Sequence, residues 1–276
     1  MFLLVSLLLD RPPRLNLNNS FPPVSLLIAA YNEEKCIAET LRSLRQQDYQ
    51  GMLEIIVVDD GSTDSTREAV LNSGMSNIKL IQADHRGKAG ALNKGLEYVS
   101  HGYTISIDAD TFLHPEAITR IMSRMLSDPP HTAAVAGCVM VKNSRQSFMT
   151  RMQEWDYFLA ISSVKRQQAL YQGTLVAQGA FSLYKTEVIR TINGWPACIG
   201  EDIVLTWAMI KAGYRIGFES TAVGFTEAPA TFKGFARQRR RWARGMIEGF
   251  KVHHDLLYKN FSLTTILIAQ DLLFLT

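Results

Sequence analysis

Two carboxylates that alternate along the chain could bind a metal ion. Asp108-Ala-Asp110 follows a short apolar run, and its two carboxylates could approach a single divalent cation. Because Mg²⁺ and Mn²⁺ prefer hard oxygen ligands, either ion suits this pair and could bridge it to a substrate diphosphate. Asp pairs at strand ends are also ordinary turn and cap residues, so the motif on its own is a weak indication.

Two other acidic motifs could act beside such an ion. Asp59-Asp-Gly-Ser62 follows another apolar run, and an acidic group there suits the hydrogen-bonding edge of a uracil or the hydroxyls of a ribose. Gly200-Glu-Asp202 supplies a candidate general base, because a sugar hydroxyl that attacks an anomeric carbon must lose its proton. Asp202 is the candidate and Glu201 is the alternative. Simple helix caps would also account for both motifs.

Basic and aromatic side chains supply possible partners for a diphosphate. Lys88 stands at the start of a predicted helix, where its ammonium group and free backbone N–H groups can meet phosphate oxygens. In Gln238-Arg-Arg-Arg241-Trp242, Arg can pair with a diphosphate in bidentate fashion and Trp offers an apolar face to a sugar ring. Gln238 can both donate and accept hydrogen bonds.

Five arginines fall within eight positions around this motif and indicate an anionic partner. They are Arg237, Arg239, Arg240, Arg241 and Arg244. A diphosphate, a lipid headgroup and a nucleic acid would all fit, and a solvated helix face is the simpler interpretation. No nucleic-acid-binding module accompanies the cluster, so we expect no nucleic acid partner.

Alternating strands and helices must position these residues. Apolar runs predict strands over residues 24–30, 53–58, 78–81 and 103–107, and helical signals follow the first three. Those signals are Ile37, Leu41 and Leu44, a capping match at Ser65 and Glu68, and the stretch 88–99. The alternation predicts an α/β fold with a mainly parallel sheet, in which ligands bind beyond the carboxyl ends of the strands. The polar residues at those ends are Tyr31, Asp59, Asp60, Asp108 and Asp110.

The second half of the chain has a different pattern. A long helical stretch begins near Phe148, a glycine-containing segment lies at Gln178-Gly-Ala180, and another helix runs from Gly200 to Ile210. Within the first of these, the apolar positions are Met152, Trp155, Leu159 and Val164. We expect this half to build the side of the site that receives the acceptor.

The composition and the two ends of the chain limit the classes of protein that are possible. The chain has 276 residues, 47% of them hydrophobic, and a net charge of +3, which is typical of one globular α/β domain. Three widely spaced cysteines favour a reducing compartment and indicate neither a disulfide framework nor a zinc site. Met1–Leu9 lacks the features of a secretory signal. Phe261–Thr276 is mostly apolar, which predicts the start of a membrane region or, alternatively, a buried or interfacial terminal helix.

Six motifs in a fixed order resemble those of family 2 glycosyltransferases. They are Ala30-Tyr-Asn-Glu33, Asp59-Asp-Gly61, Lys88-Ala-Gly90, Asp108-Ala-Asp110, Gly200-Glu-Asp202 and Gln238-x-x-Arg241-Trp242. The likeness is to the processive β-glycan synthases, most of all to bacterial poly-N-acetylglucosamine synthases, with cellulose, chitin and hyaluronan synthases as more distant relatives. It covers roughly residues 22 to 250. The resemblance implies a GT-A fold, a UDP-sugar donor, Mg²⁺ or Mn²⁺, and inversion to a β-linked product.

The resemblance also implies a role for each motif residue. Tyr31, Glu33 and Asp60 would contact uridine, Lys88 the diphosphate and Asp108 the donor, with Asp110 and Asp108 at the metal and Asp202 as base. Gln238, Arg241 and Trp242 would cradle the donor diphosphate and the acceptor end of the glycan. Gly200 departs from the family pattern, since many relatives carry Thr at this position.

The same resemblance implies an organisation and a location. We expect a membrane-proximal segment and linker over residues 1–21, the glycosyltransferase domain over 22–250 and the start of a C-terminal membrane region over 251–276. The catalytic domain would face the cytoplasm at the inner membrane, with the membrane and a glycan acceptor as partners. One alternative is a single-addition transferase that acts on a lipid carrier or a short acceptor. Another is a membrane module that binds sugar nucleotides without turnover.

Overall fold

The structure is a computed structural model that describes residues 20–159, 164–171 and 173–257. In these ranges the strands form one sheet in the order β3-β2-β1-β4-β7-β6-β8-β5. The strands are β1 Val24–Ala30, β2 Leu53–Asp59, β3 Ile78–Gln82, β4 Tyr103–Asp108, β5 Phe112–Leu113, β6 Thr132–Val141, β7 Phe181–Lys185 and β8 Arg215–Thr226.

Helices connect most of these strands and cover both faces of the sheet. They are α1 Ile37–Arg45, α2 Thr66–Leu71, α3 Gly87–Leu96, α4 Ala117–Ser127, α5 Phe148–Asp156, α6 Val164–Tyr171, α7 Thr186–Thr191, α8 Glu201–Lys211 and α9 Phe232–His253. A short 3₁₀ helix, His254–Leu257, follows α9. No helix within the described ranges combines the length and the apolar character needed to cross a bilayer.

The first four strands form the parallel half of the sheet. Strands β3, β2, β1 and β4 lie side by side and all run in the same direction. Ala30 pairs with Asp59 on one side of β1, and Ala29 pairs with Asp108 on the other, so these strands end at one edge. All four predicted strands are confirmed, and their predicted ends differ from the observed ones by no more than one residue.

The other half of the sheet is mixed. Strand β7 pairs antiparallel with both β4 and β6, β6 pairs parallel with β8, and β5 pairs antiparallel with β8. The sequence patterns did not identify these four strands, partly because glycines interrupt β6 and β8. Gly137 in β6 is required by packing, since a Cβ there would lie 2.2 Å from the Phe181 ring of β7.

The core lies on both faces of the sheet because side chains alternate along each buried strand. Leu26 and Ile28 of β1 pack with α1 and α4 on one face. Leu27, between them in sequence, packs with α3, α7 and α8 on the other face. A third apolar cluster, which includes Ile203 and Trp207, joins α8 to α9.

Two local predictions need correction and one is only partly described. The Ser65 side chain does not cap α2, and the Thr66 N–H donates instead to Asp64 Oδ1 at 3.0 Å. The stretch 88–99 is shorter than predicted, since α3 ends at Leu96 in tighter turns. The helical stretch from Phe148 is confirmed as α5 and α6, but residues 160–163 lie outside the described residues, as do the apolar segments 1–9 and 261–276.

Candidate active site

The loops after β1 and β2 are bound to each other at the carboxyl edge of the sheet. Asn32 has φ 55°, an uncommon conformation for a residue other than glycine, and its Oδ1 accepts a hydrogen bond from Thr63 N–H at 2.8 Å. The Glu33 N–H donates to Thr66 Oγ1 at 2.7 Å. Tyr31 and Glu33 are therefore held above the strand ends by hydrogen bonds from the neighbouring loop.

Asp60 lies beneath an aromatic pair. Its side chain is almost fully buried, and its Oδ1 accepts a hydrogen bond from the Arg86 N–H at 2.8 Å. His85 Nδ1 lies 2.9 Å from Asp60 Oδ2, and the His85 ring stacks on Tyr31 with centroids 4.1 Å apart. Gly61 has φ 75°, and a Cβ on it would lie 3.1 Å from the His85 backbone nitrogen. The sequence interpretation missed His85, although it stands three residues before Lys88.

Lys88 links two acidic residues that are distant in sequence, Asp108 and Glu201. It lies in the first turn of α3, and its Nζ is 2.5 Å from Asp108 Oδ1 and 3.4 Å from Glu201 Oε1. Burial alone would lower the pKa of Lys88, but the charges of Asp108, Glu201 and Asp202 raise it above its ordinary value. The ammonium group therefore stays protonated between carboxylates from β4 and from α8.

Gly179 provides the space in which these side chains meet. Its N–H donates to Asp202 Oδ2 at 3.1 Å, and the Ile203 N–H donates to Asp202 Oδ1 at 2.9 Å. A Cβ on Gly179 would lie 2.7 Å from Lys88 Nζ and 3.5 Å from Glu201 Oε1. Burial raises the pKa of Glu201, although Lys88 opposes this shift. The sequence pattern singled out this segment but gave Gly179 no role.

Glu33 and Asp110 form a second set of acidic side chains near Asp108. Burial and the charges of Asp110 and Asp108 raise the pKa of Glu33 to about 7. Burial and Asp108 likewise raise the pKa of Asp110 to about 6, and Glu227, just after β8, adds to this shift. Carboxylates that raise one another's pKa values in this way would be stabilised by a cation. Within the described residues, however, no three His, Cys, Asp or Glu side chains form a group able to hold a metal ion.

The Gln-x-x-Arg-Trp motif lies on α9, where its residues have different surroundings. Gln238 is half-buried, and its Oε1 is buried with no hydrogen-bond partner among the described residues. Trp242 packs against the core, 6.0 Å from the Tyr157 ring, and the Arg239 guanidinium lies 4.5 Å from its ring centroid. Arg241 is exposed. Of the five clustered arginines, Arg239 forms an ion pair with Asp156, while the other four are exposed.

Tyr157 connects this motif to the carboxylates. Burial raises the pKa of Tyr157 to about 12, and the charges of both Asp110 and Arg241 act on its hydroxyl. Arg241 and Asp110 therefore lie near the same buried group. Tyr157 and Glu227 carry no local sequence signal, since their relation to the site depends on the packing of distant elements. Direct contacts join Lys88 to Asp108 and Glu201, the Gly179 N–H joins Asp202 to the same region, and His85 joins Tyr31 to Asp60.

A mainly parallel sheet whose strands end in carboxylates defines a nucleotide-binding α/β class. Residues 25–192 match the family described as Glycosyl transferase family 2. The chain therefore belongs to glycosyltransferase family 2.

Proteins with sequences similar to this chain include polysaccharide synthases. The chain is 31% identical over 256 residues to the poly-beta-1,6-N-acetyl-D-glucosamine synthase of Staphylococcus aureus, covering 92% of this chain and 60% of that protein. It is also 31% identical over 241 residues to the synthase of the same name from Staphylococcus epidermidis, covering 86% of this chain and 56% of that protein. The chain thus spans somewhat more than half the length of these relatives.

Solved structures share the fold. The mannosyltransferase PcManGT from Pyrobaculum calidifontis, in complex with GDP-Man and Mn²⁺, aligns with a TM-score of 0.72 at 22% identity, over 98% of this chain and 81% of that one. TarS 1-349 from S. aureus, in complex with UDP-GlcNAc, aligns with a TM-score of 0.56 at 20% identity, over 82% and 66% of the two chains. The predicted GT-A fold and family membership are confirmed.

Proposed function

We propose that this chain transfers N-acetylglucosamine, with inversion, from UDP-N-acetylglucosamine to a growing β-linked polysaccharide. The observation that carries the proposal is the meeting of Lys88, Asp108, Glu201 and Asp202 around Gly179, at the carboxyl edge of the sheet. Family membership and the names of the staphylococcal relatives support the reaction class and the sugar.

The donor nucleotide would occupy the parallel half of the site. Tyr31, Glu33 and Asp60 would bind the uridine, and the stacked His85 ring would keep Tyr31 in place. Lys88 would meet the diphosphate, because its ammonium group stays charged and lies at a helix N-terminus. In the structure Lys88 pairs with Asp108, so donor binding would replace part of that ion pair by phosphate contacts.

Asp108 and Asp110 fit a divalent cation by their chemistry. Both offer hard carboxylate oxygens, and the crowding that raises the pKa values of Glu33 and Asp110 would be relieved by positive charge. Asp108 and Asp110 would hold Mg²⁺ or Mn²⁺ there, and the ion would supply positive charge to the leaving diphosphate. Two protein carboxylates suffice in such a site, since Mg²⁺ is commonly held by one or two carboxylates together with substrate phosphates.

Asp202 would act as the base. Two backbone N–H groups fix its carboxylate, whereas the Glu201 carboxylate lies 3.4 Å from the Lys88 ammonium group. Asp202 would remove the proton from the acceptor hydroxyl as that oxygen attacks the anomeric carbon from the side opposite the diphosphate. Attack from that side inverts the configuration, and the leaving diphosphate needs no acid because its charge is neutralised.

The Gln-x-x-Arg-Trp motif on α9 would bind the donor diphosphate and the end of the acceptor. Arg241 would pair with the donor diphosphate, and Gln238 would use its unpartnered Oε1 to accept a hydrogen bond from a sugar hydroxyl. Trp242 would border the acceptor, and its ring is held in place by contacts with the Tyr157 ring and the Arg239 guanidinium. These roles depend on α9 facing the same space as Asp110, which the charges acting on Tyr157 support.

The direct test of the proposed function is UDP release from a panel of UDP-sugars, with divalent metal added or chelated. We expect release with UDP-N-acetylglucosamine and either Mg²⁺ or Mn²⁺, and loss of release with chelator. Binding of UDP without release would support the non-catalytic alternative. Undiminished release after chelation would contradict the metal assignment.

Product length separates the two enzymatic hypotheses. With labelled donor and the complete protein, a polymer or a ladder on a gel would support a processive synthase. A single added sugar would support transfer to a lipid carrier or a short acceptor.

We also propose that the domain works at an anionic membrane surface. Helix α5 and the three residues after it expose an apolar stripe at positions spaced by four, three and four residues, namely Phe148, Met152, Trp155 and Leu159. The ion pair between Asp156 and Arg239 joins α5 to the arginine-rich helix α9. Exposed arginines beside an apolar stripe suit anionic lipid headgroups.

Vesicle flotation tests this location. Anionic vesicles should retain the protein more than neutral ones, and Trp155→Ser should weaken retention several-fold. Met52→Ser is the matched control, because Met52 is 68% exposed but precedes β2 at the opposite edge of the sheet. Equal retention of the Trp155 variant and the control would contradict the proposed docking surface.

A further inference from the structure

Two glycines bring the helix of the candidate base into backbone contact with the helix of the Gln-x-x-Arg-Trp motif. A Cβ on Gly200 would lie 2.6 Å from both Cα and O of Gly245. In the other direction, a Cβ on Gly245 would lie 2.9 Å from Gly200 Cα. Both glycines are buried. The atoms in the way belong to backbone, so no side chain could rotate to make room.

Packing, and not backbone conformation, requires these glycines. Gly200 has φ −103°, which any residue can adopt, and Gly245 lies inside helix α9 without positive φ. A glycine in a helix interior lowers helix stability relative to alanine, so Gly245 has a local cost. The close approach of the two backbones is the feature that an alanine could not provide.

The contact between Gly200 and Gly245 lies next to both the candidate base and the Gln-x-x-Arg-Trp motif. Gly200 immediately precedes Glu201 and Asp202 at the start of α8. Gly245 follows Trp242 by three residues and Arg241 by four, so it lies on the same helix face one turn further along α9. The position of α9 at this contact therefore sets how far the motif residues lie from Asp202.

Other contacts hold the two helices in register beyond the glycines. The Ile199 N–H donates to Glu248 Oε2 at 2.7 Å, and the rings of Trp207 and Phe250 meet edge to face at 5.0 Å. His253 Nε2 lies 3.0 Å from Val204 O. The contacts of Val204 and Trp207 lie further along both helices than the Gly200–Gly245 contact, so α8 and α9 run in roughly the same direction. A displacement at Gly245 would turn α9 about these distal contacts.

We propose that Gly200 and Gly245 form a positioning pair that sets the distance between Asp202 and the motif residues Gln238, Arg241 and Trp242. The inference rests on the proposed function. Relieving a contact of 2.6 Å to an ordinary one of about 3.5 Å moves α9 outward by about 1 Å. A misplacement of about 1 Å at a reacting centre can cost about 10²-fold in rate.

The test compares Gly245→Ala and Gly200→Ala in the complete protein by UDP release from UDP-N-acetylglucosamine. Each variant should lose about 10²-fold in kcat with little change in KM. UMP affinity should stay within about threefold, because the proposed uridine ligands Tyr31 and Asp60 lie just after β1 and β2, away from the contact. The control is Gly102→Ala, since a Cβ on Gly102 meets nothing within 4 Å.

The double variant separates positioning from simple loss of stability. Once one methyl group has displaced α9, the second should cost much less, so the double variant should fall less than about tenfold below either single variant. Independent losses of stability would instead multiply. A folded Gly245→Ala protein with kcat within threefold of the wild type would overturn the proposal.

Glu248→Ala covers the case in which the alanine variants fail to fold. It removes the hydrogen bond from Ile199 N–H at the same junction and adds no atom, and it should lower kcat about tenfold with unchanged UMP affinity. Unchanged kcat would count against the proposal. The proposed function is judged separately by Asp202→Asn: if that variant is inactive while Gly245→Ala is fully active, only the positioning pair is rejected.

Discussion

The two halves of the sheet hold their candidate site residues in different ways. In the parallel half, Asp60 and Asp108 follow directly from strands that end at one edge, and hydrogen bonds between loops fix their neighbours. In the mixed half, Asp202 stands on a helix whose place depends on close contacts with Gly179 and Gly245. The difference suggests that the parallel half binds the nucleotide, while the mixed half sets the geometry of the reacting groups.

Apart from the candidate base, the largest effect is expected where the halves meet, at Asp110. Asp110→Asn removes a charge that is close to Asp108, to Glu227 and to Tyr157. We predict a loss of about 10³-fold in kcat, because one group that stabilises developing charge typically contributes 10²–10³-fold. UDP release titrated with Mn²⁺ measures it. Glu68→Gln, on exposed α2, is the control, and a metal response equal to that of the control would disprove the assignment.

A smaller rate effect is expected from Gly179→Ala in the mixed half. The added methyl group would lie 2.7 Å from Lys88 Nζ and would push that flexible side chain from its position beside Asp108. We predict a loss of about 10–10²-fold in kcat, measured by UDP release, because both Lys88 and Asp202 contact this glycine. If the variant changed only KM, Gly179 would contribute to substrate binding, which would contradict the assignment of the reaction geometry to the mixed half.

In the parallel half, His85→Ala should change binding more than rate. The variant removes the ring that stacks on Tyr31 and contacts Asp60. We predict a KM for the UDP-sugar raised about 5–10-fold with kcat nearly unchanged, which is the signature of lost ground-state binding. Steady-state kinetics check this, with His131→Ala, at an exposed position, as control. A fall in kcat of more than tenfold would place His85 in the chemistry instead.

The smallest effect concerns the contact between α8 and α9 as a function of pH. Burial lowers the pKa of His253, whose Nε2–H donates to Val204 O. The unfolded chain therefore takes up a proton first, so this residue costs stability as the pH falls through its ordinary value near 6.5. We predict that lowering the pH from 7.5 to 5.5 reduces the melting temperature by about 2–4 °C more in the wild type than in His253→Gln. Identical pH profiles would contradict this.

The parallel half was largely predictable from sequence. Continuous apolar runs such as 24–30 are typical of strands buried on both faces, and parallel strands must end at one edge, which places Asp60 and Asp108 together. The cap at Ser65 was predicted wrongly, because the Asp64 side chain binds the start of the helix through the Thr66 N–H and hydroxyl, and the local pattern does not decide between the two residues.

The mixed half could not be predicted to the same degree. Gly137 weakens the sequence pattern of strand β6. A glycine is needed there because the Phe181 ring of strand β7 occupies the space of a Cβ, and this contact is not visible in the sequence. Gly179 and Tyr157 likewise come close to the site only through tertiary packing, which no local sequence pattern indicates. The roles of all the motif residues and the domain boundaries remain predictions, since they rest on the resemblance and on geometry and not on a contact with substrate.

The most direct test of Asp202 as the base is turnover by Asp202→Asn compared with Glu201→Gln, each with its UMP affinity. We predict that Asp202→Asn loses about 10²–10⁴-fold in kcat, the range of general-base assistance, while binding UMP normally. Glu201→Gln should lose less, because Glu201 pairs with Lys88 instead of facing the acceptor. Wild-type turnover by Asp202→Asn, or a loss confined to Glu201→Gln, would contradict the assignment of the base.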